Sequence, residues 1–532
     1  MSKFHIIKIS LTVAIIAVVA AGAFFVYQKF ADEHSAARTD LMRIIPENCD
    51  AFIAIDNLKD LDSIKQNYLI QAYLKNKSNP SIIKTLTNLQ PYFSKGNWSG
   101  TENSLHQMII SFHTWENEHG ELLLFKMAAG DKERIADMLD QHFKSSFAPM
   151  IEKNAGIEIT HYYVTTGVSF HCFYYKGIFA GSFQNRLIDE AIMRISTPKG
   201  KLEEPDFIDI AKDSEKSSSL KFFLRLNGIP LHYGNTPDKV DTLNLTEWIA
   251  PELSFSKDKV TMSCYTSPLY EKQNRLCLFI GQNGGQALNP DIISKNCPVC
   301  LHYGLSDRDR FVQNQERFYG SQEKDTTFFR KDFMSVDSIF GNHFEGEINI
   351  AYYPVLVPEK IYQKVLLIKL DNLKDVAERL ESLHAKIDKA NEKMVKLPLN
   401  QKGFPEKLYT GMFGQIFSLG DPIIYCDTIQ NYLVLSGRSE TVDSYVKDIK
   451  KGDNLTKVSW YRQIAPDIDK ESNICFFGKG DSFIEDRYIL PFGLPNFLTE
   501  NPYLFRKNTF CFQFNAEESF IYSNAVIKAL KQ

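Results

Sequence analysis

Ile44-Ile45-Pro46-Glu47-Asn48-Cys49, followed by the apolar run Ala51-Phe52-Ile53-Ala54-Ile55, returns further down the chain as Ile292-Ile293-Ser294-Lys295-Asn296-Cys297, followed by Val299, Cys300 and Leu301. Beyond each run lie a leucine and two aspartates: Leu58, Asp60 and Asp62 in the first copy, Leu305, Asp307 and Asp309 in the second. A gap of one residue brings the two stretches into register. Self-similarity at a fixed long spacing is the mark of a duplicated structural unit.

Later matches keep the same order. Leu122-Leu123-Leu124-Phe125-Lys126 with the amphipathic Arg134-Ile135-Ala136-Asp137-Met138-Leu139 parallels Leu366-Leu367-Ile368-Lys369 with Val376-Ala377-Glu378-Arg379-Leu380. Just upstream stand the strand-like Met108–Phe112 and Ile348–Tyr353. Gly177–Ser182 with Leu187–Ile192 parallels Tyr432–Gly437 with Val442–Val446, and Lys221-Phe222-Phe223-Leu224 resembles Ile474-Cys475-Phe476-Phe477. Collinear matches predict two tandem copies of about 240 residues each. Repeat 1 is placed at 42–280 and repeat 2 at 291–532, with a linker at 281–290 opening on the glycine-rich Gly281–Gln286.

Within the first copy, strand patterns fall near 50–56, 106–113, 121–127, 158–175, 177–182, 219–226, 259–265 and 275–280, and helical ones near 59–75, 131–145 and 185–196. Strands outnumber helices and often neighbour one another. The expected class is therefore α+β with mainly antiparallel sheet-plus-helix repeats, in preference to a doubly wound βαβ fold.

Ahead of the repeats, Lys3 and Lys8 precede an uncharged run from Ile9 to Tyr27. The eighteen residues Ile9–Val26, as helix at 1.5 Å each, give roughly 27 Å, close to the hydrocarbon thickness of a bilayer, and Tyr27 extends the run. The expectation is one transmembrane helix at 9–27, a cytoplasmic N-terminus at 1–8, a polar stalk at 28–41 and the bulk of the chain extracytoplasmic, the lysines setting the orientation. A cleavable signal peptide is the competing reading, with Ala21-Gly22-Ala23 as its small-residue site, although apolar residues continue through Phe24, Phe25 and Val26.

The composition of the whole 532-residue chain, 44% apolar and 24% charged, is that of a globular protein long enough for more than one domain. With 61 Lys+Arg against 65 Asp+Glu, there is no basic field to attract a phosphate backbone, so nucleic acid is excluded as an expected partner. Nine cysteines without dense spacing do not make a disulfide scaffold.

Cys297-Pro298-Val299-Cys300 is the sharpest chemical motif, a C-x-x-C of the kind used by redox pairs and zinc sites. If both cysteines lie in one strand, their Cα atoms sit about 10 Å apart, beyond the ~7 Å reach of a disulfide, and the side chains point to opposite faces. Core packing is the main expectation for the pair, redox chemistry the minor one. His113 and His119 read as residues of a solvated strand and turn; His161 and His171 read as surface or inter-strand side chains. The chain has no H-E-x-x-H, no G-x-S-x-G, no P-loop and no dinucleotide-binding glycine pattern. No catalytic residue, metal or cofactor is expected.

A short N-terminus, one apolar segment and a long duplicated region opening with Pro46, Asn48, Ala51, Phe52 and Ile53 resemble the uncharacterised single-pass, envelope-anchored proteins of Gram-negative bacteria. The resemblance implies location and architecture and carries over no activity. It points to the bacterial inner membrane with the bulk periplasmic, and to the lipid bilayer and an envelope protein as partners. Two functions fit: a non-catalytic binding or scaffold protein of the cell envelope, and an enzyme or ligand-binding protein with a cleft between the two repeats.

Overall fold

The computed structural model describes residues 40–532 apart from 57–65, 77–80, 96–106, 197–219, 226–228, 233–239, 244–247, 267–274, 320–339, 380–402, 406–412, 483–505, 517–520 and shorter gaps of one to three residues. Contacts divide it into two compact units, one ending at Leu224 and the other running from Arg225 to Gln532 and taking in Asn67–Leu69.

The strands up to Arg225 are β1 (Cys49–Ile55), β2 (Met108–Trp115), β3 (Glu118–Lys126), β4 (Met150–Asn154), β5 (Ile157–Thr165), β6 (Val168–Tyr175), β7 (Ile178–Ser182) and β8 (Leu220–Arg225). In space they run β8-β1-β2-β3-β7-β6-β5-β4, and every neighbouring pair is antiparallel. Tight hairpins make this possible. Ala155 and Gly156 join β4 to β5 with φ of 49° and 81°, and Lys176 and Gly177 join β6 to β7 with 45° and 75°, the paired positive φ values of turns that match the strand twist. At the centre, Phe52 of β1 stacks on Phe223 of β8 with ring centroids 4.4 Å apart, both fully buried.

The helices in this stretch are α1 (Tyr68–Asn76), α2 (Ile82–Lys95), α3 (Asp131–His142) and α4 (Asn185–Ser196). Each is amphipathic: α4 buries Leu187, Ile188, Ala191 and Ile192, which recur at one-turn spacing, and turns its remaining residues outward.

Unit two carries β9 (Ile229–His232), β10 (Val240–Leu243), β11 (Trp248–Ile249), β12 (Glu252–Phe255), β13 (Lys259–Thr266), β14 (Val299–Gly304), β15 (Phe344–Val357), β16 (Glu359–Leu370), β17 (Gly403–Pro405), β18 (Ile423–Ile429), β19 (Tyr432–Ser436), β20 (Ile474–Lys479), β21 (Asn508–Ala516) and β22 (Ile521–Ala529). Eleven of them form one antiparallel sheet in the order β12-β13-β22-β21-β20-β14-β15-β16-β19-β18-β17. Its helices are α5 (Arg308–Tyr319), α6 (Ser439–Lys450) and α7 (Ser459–Ile464).

The stretch β20-β14-β15-β16-β19-β18 repeats the order β8-β1-β2-β3-β7-β6 of unit one, and the first five strands of each series are those that carry the matched sequences. Successive residues of each central strand feed opposite cores. Val299, Leu301, Ile348, Ile350, Leu366 and Ile368 pack on one face. Cys300, Ala351, Val365, Leu367 and Val434 pack on the other, beneath Tyr445 of α6 and Trp460 of α7.

Several expectations are corrected. An α+β fold with a transmembrane helix ahead of sheet-plus-helix repeats gives way to two large antiparallel sheets with few helices. Among the described residues no helix is long and apolar enough to cross a membrane. The reason is visible in α2, the longest described α-helix at 14 residues, well short of the ~20 apolar residues a span requires. Residues 9–27 themselves lie outside the described residues. The strand expected at 275–280 is a 3-10 turn, Arg275–Phe279, with Cys277, Leu278, Phe279 and Ile280 all buried. A short, continuously apolar run carries no period to separate helix from strand. The amphipathic run that opens at Val376 lies in a helix described over 373–379. The backbone of Gly285, in the glycine-rich stretch, approaches that of Gly304 too closely for a Cβ on either residue.

Lys259 of β13 and Lys528 of β22 stand directly opposite one another in the sheet. Asp467 joins them, its Oδ1 accepting from Lys259 at 3.0 Å and its Oδ2 from Lys528 at 2.7 Å. Burial acts to raise this carboxyl, but the two lysine hydrogen bonds outweigh it and hold the pKa below the ordinary 3.8. A depressed folded-state pKa contributes stability above the unfolded value and loses it as pH falls through the folded one. Asp467→Asn is expected to cost about 1–3 kcal/mol at neutral pH, by leaving two like charges facing each other, and to shrink the loss of stability below roughly pH 4. Urea unfolding across acid and neutral pH checks both effects.

Candidate functional site

The opening motif of the second copy is built around one carboxylate. Asp448, in the last turn of α6, accepts hydrogen bonds through Oδ2 from Ser294 Oγ, Asn296 Nδ2 and Tyr353 OH, each at 2.8 Å. Tyr445, one turn earlier, donates to the carbonyl of Ile292 at 2.8 Å. The corresponding place in unit one uses another chemistry: Arg194, near the end of α4, pairs with Glu47 at 3.1 Å. In both units the motif is a latch that holds the entry to the central strand against the end of a helix.

Cys297 sits just inside this latch and Cys300 in β14. Cys297 lies in a turn, its N–H donating to the Ser294 carbonyl at 3.0 Å, so the two cysteines do not share a strand. Both thiols therefore enter the same core instead of opposite faces, and both are completely buried. Burial pushes each thiol up from its ordinary pKa; for Cys297, the neighbouring Cys300 and Asp448 push further. Cys475 and Cys511 belong to the same core, with sulfurs 3.7 Å apart. All nine cysteines lie among the described residues and each carries a thiol, not a disulfide. Such burial withholds the thiolate on which exchange and metal binding depend.

Next to this core lies a buried polar cluster with no counterpart in the sequence motifs. His302 Nδ1 meets Asn349 Oδ1 at 2.7 Å, Asn349 Nδ2 donates to Glu347 Oε1 at 2.9 Å, and Tyr432 OH donates to Glu347 Oε2 at 2.8 Å. Lys369 Nζ stands 3.7 Å from Glu347 and 3.3 Å from Glu345. Burial and Glu347 both raise the Tyr432 hydroxyl, keeping it a neutral donor. Glu347 is thus a buried carboxylate with both oxygens engaged and a cation close by, which is how an interior charge is tolerated. The signal was present in the alternation Glu347, Asn349 against Ile348, Ile350: polar residues on one face of a strand whose neighbours are core.

The histidines of unit one separate into two groups. His113 is buried in β2, not solvated as expected. Its Nε2 lies 2.9 Å from Ser111 Oγ and its Nδ1 3.3 Å from Asn48 Oδ1, and burial lowers its pKa to about 3. His119 is exposed in β3, while His106 lies outside the described residues. His161 and His171 face each other across β5 and β6, Nδ1 to Nδ1 at 2.6 Å. Among the described residues no group of three or more His, Cys, Asp or Glu converges as a metal centre.

Beside the histidine pair, the sheet ends at β4, whose outer edge pairs with no strand among the described residues. Phe147, Met150 and Ile151 are 67%, 61% and 66% exposed, Met150 and Ile151 on opposite faces of β4, and Tyr163 and Val164 of β5 are exposed as well. These five are most of the seven large apolar residues found exposed among the described residues. No sequence period marks them, because a strand at a sheet edge and one at its centre can carry the same apolar residues.

No known protein family matches the chain, and no curated protein matches it. Solved structures of TP0453 show a coarse likeness. Crystal form IV has a TM-score of 0.27 at 11% identity, over 43% of this chain and 81% of that one, and crystal form I a TM-score of 0.26 at 13% identity, over 43% and 79%.

Native-state alkylation is expected to modify the half-buried Cys426 first and to leave Cys297 and Cys300 unmodified until denaturant is added. Peptide mapping after timed iodoacetamide exposure reads the order. Labelling of Cys297 or Cys300 as fast as Cys426 would show that the core opens to solvent.

Proposed function

We propose that the protein is an extracytoplasmic binding or scaffold protein of the bacterial cell envelope, acting without catalysis and engaging a protein partner along β4. The observation that carries this reading is the sheet edge at β4, which has no strand beside it among the described residues and carries exposed apolar side chains on both of its faces: Met150 on one, Ile151 on the other, with Phe147 packed on Tyr163 and Val164 nearby in β5. An open edge presents a row of backbone donors and acceptors to an incoming strand, and apolar side chains beside it supply the contact area that stabilises the added strand. Most soluble proteins blunt such edges with charge, proline or a covering element; β4 has only Glu152 and Lys153. Placement outside the cytoplasm rests on the uncharged run at 9–27 behind Lys3 and Lys8, which has the pattern of an export signal.

A photo-crosslinking residue at position 151 in living cells is expected to give one discrete adduct, identifiable by mass spectrometry, and the same residue at the exposed Met193 of α4 is not. Met150→Lys should abolish the adduct at position 151 while leaving the unfolding free energy within about 0.5 kcal/mol of the parent, as for an exposed site. Equal crosslinking at both positions, or an adduct indifferent to Met150→Lys, would refute edge recognition.

A further inference from the structure

Cross-strand neighbours on one face of an antiparallel pair lie closer than any other residues on separate strands, and two histidines in that relation make a natural chelate. His161 and His171 are direct partners in the β5–β6 register. Their rings are nearly perpendicular, with centroids 4.8 Å apart, and each turns Nδ1 toward the other at 2.6 Å. That separation requires one ring to donate its proton to the bare nitrogen of the other.

A divalent transition ion at about 2.0–2.1 Å from each nitrogen needs the two nitrogens roughly 2.9–3.3 Å apart, for bond angles between square-planar and tetrahedral. Opening the pair by about 0.3–0.7 Å meets that requirement, a shift within the reach of side-chain rotation.

The surroundings have the features of a ligating histidine pair. His161 is buried, and its Nε2 makes no hydrogen bond. The group facing that nitrogen is Glu152 of β4, with Oε2 at 3.4 Å. A metal-bound imidazole characteristically donates its second N–H to a carboxylate, which fixes the tautomer and strengthens the ligand. Asp189 of α4 supplies negative charge on the side of His171. That carboxylate is held by Asn154 at 2.6 Å and Asn185 at 3.2 Å. His171 is only half-buried, leaving a side open for water to complete the coordination.

We propose that His161 and His171 form a two-histidine site for a divalent transition-metal ion of the zinc and copper class, bound through both Nδ1 atoms with water in the remaining positions and Glu152 as the outer partner of His161. The histidine signal was a pair of residues ten apart on either side of a hairpin, a spacing that means nothing until the turn and register are known.

The test is calorimetric titration of the metal-stripped full chain with Zn2+, with Cu2+ electron paramagnetic resonance as a second readout. The parent is expected to bind one equivalent, and the Cu2+ form to show coupling to two nitrogens. His171→Asn should abolish that event, and Glu152→Gln should keep the stoichiometry while weakening affinity about 10–100-fold. Glu152 is largely exposed, so this variant remains informative if His171→Asn fails to fold. Absence of a binding event in the parent, an isotherm unchanged by His171→Asn, or an affinity unchanged by Glu152→Gln would each overturn the site.

Discussion

A strand covered on both faces has nowhere to put a polar atom except against another polar atom. That constraint governs β14, all of whose residues from Val299 to Gly304 are buried, and most of β1. Their backbone groups are satisfied by strands on either side, and their side chains feed two cores at once. His302 is the exception within β14, and Asn349, Glu347, Tyr432 and Lys369 are arranged around the consequence. Removing Asn349 or Tyr432 takes a hydrogen bond from a buried Glu347 oxygen, which costs more than the net value of the bond removed.

The latch at the entrance to each of these strands follows from the same constraint. A chain that must dive into a two-sided interior has to be aimed before it enters. Unit one aims it with a charged pair at the rim, Glu47 and Arg194, and unit two with a carboxylate that gathers two side chains of the motif and a tyrosine from β15. The position is common to both units and the chemistry is not. Geometry is what each unit preserves here, and several polar combinations can supply it.

Much of the architecture was legible because apolar runs of five to seven residues, such as Ala51–Ile55 and Leu122–Lys126, have few places to go other than a sheet interior. The antiparallel character was legible too, from strands that follow one another without an intervening helix. What could not be read was pairing over distance. Nothing in Lys259–Thr266 names Ile521–Ala529 as its neighbour, because alternating half-buried residues are compatible with any edge. The same limit hid the polar cluster and the histidine pair. Each is assembled from residues on separate strands, and only register makes them a group. His113 was misread for a related reason: turn-formers follow it in sequence, but its partners are Ser111 on the same face of β2 and Asn48 just ahead of β1.

The pairing of β13 with β22 also sets an order of events. Cys264 and Ser523, which touch across it, are 259 residues apart in the chain. During synthesis, the hairpin of β12 and β13 emerges long before its neighbour and must wait with one edge open. The eleven-stranded sheet is therefore finished late, by a segment that has to find an edge made much earlier. In that interval the protein is exposed to self-association, and a factor that shields β13 would raise yield without touching the stability of the finished fold.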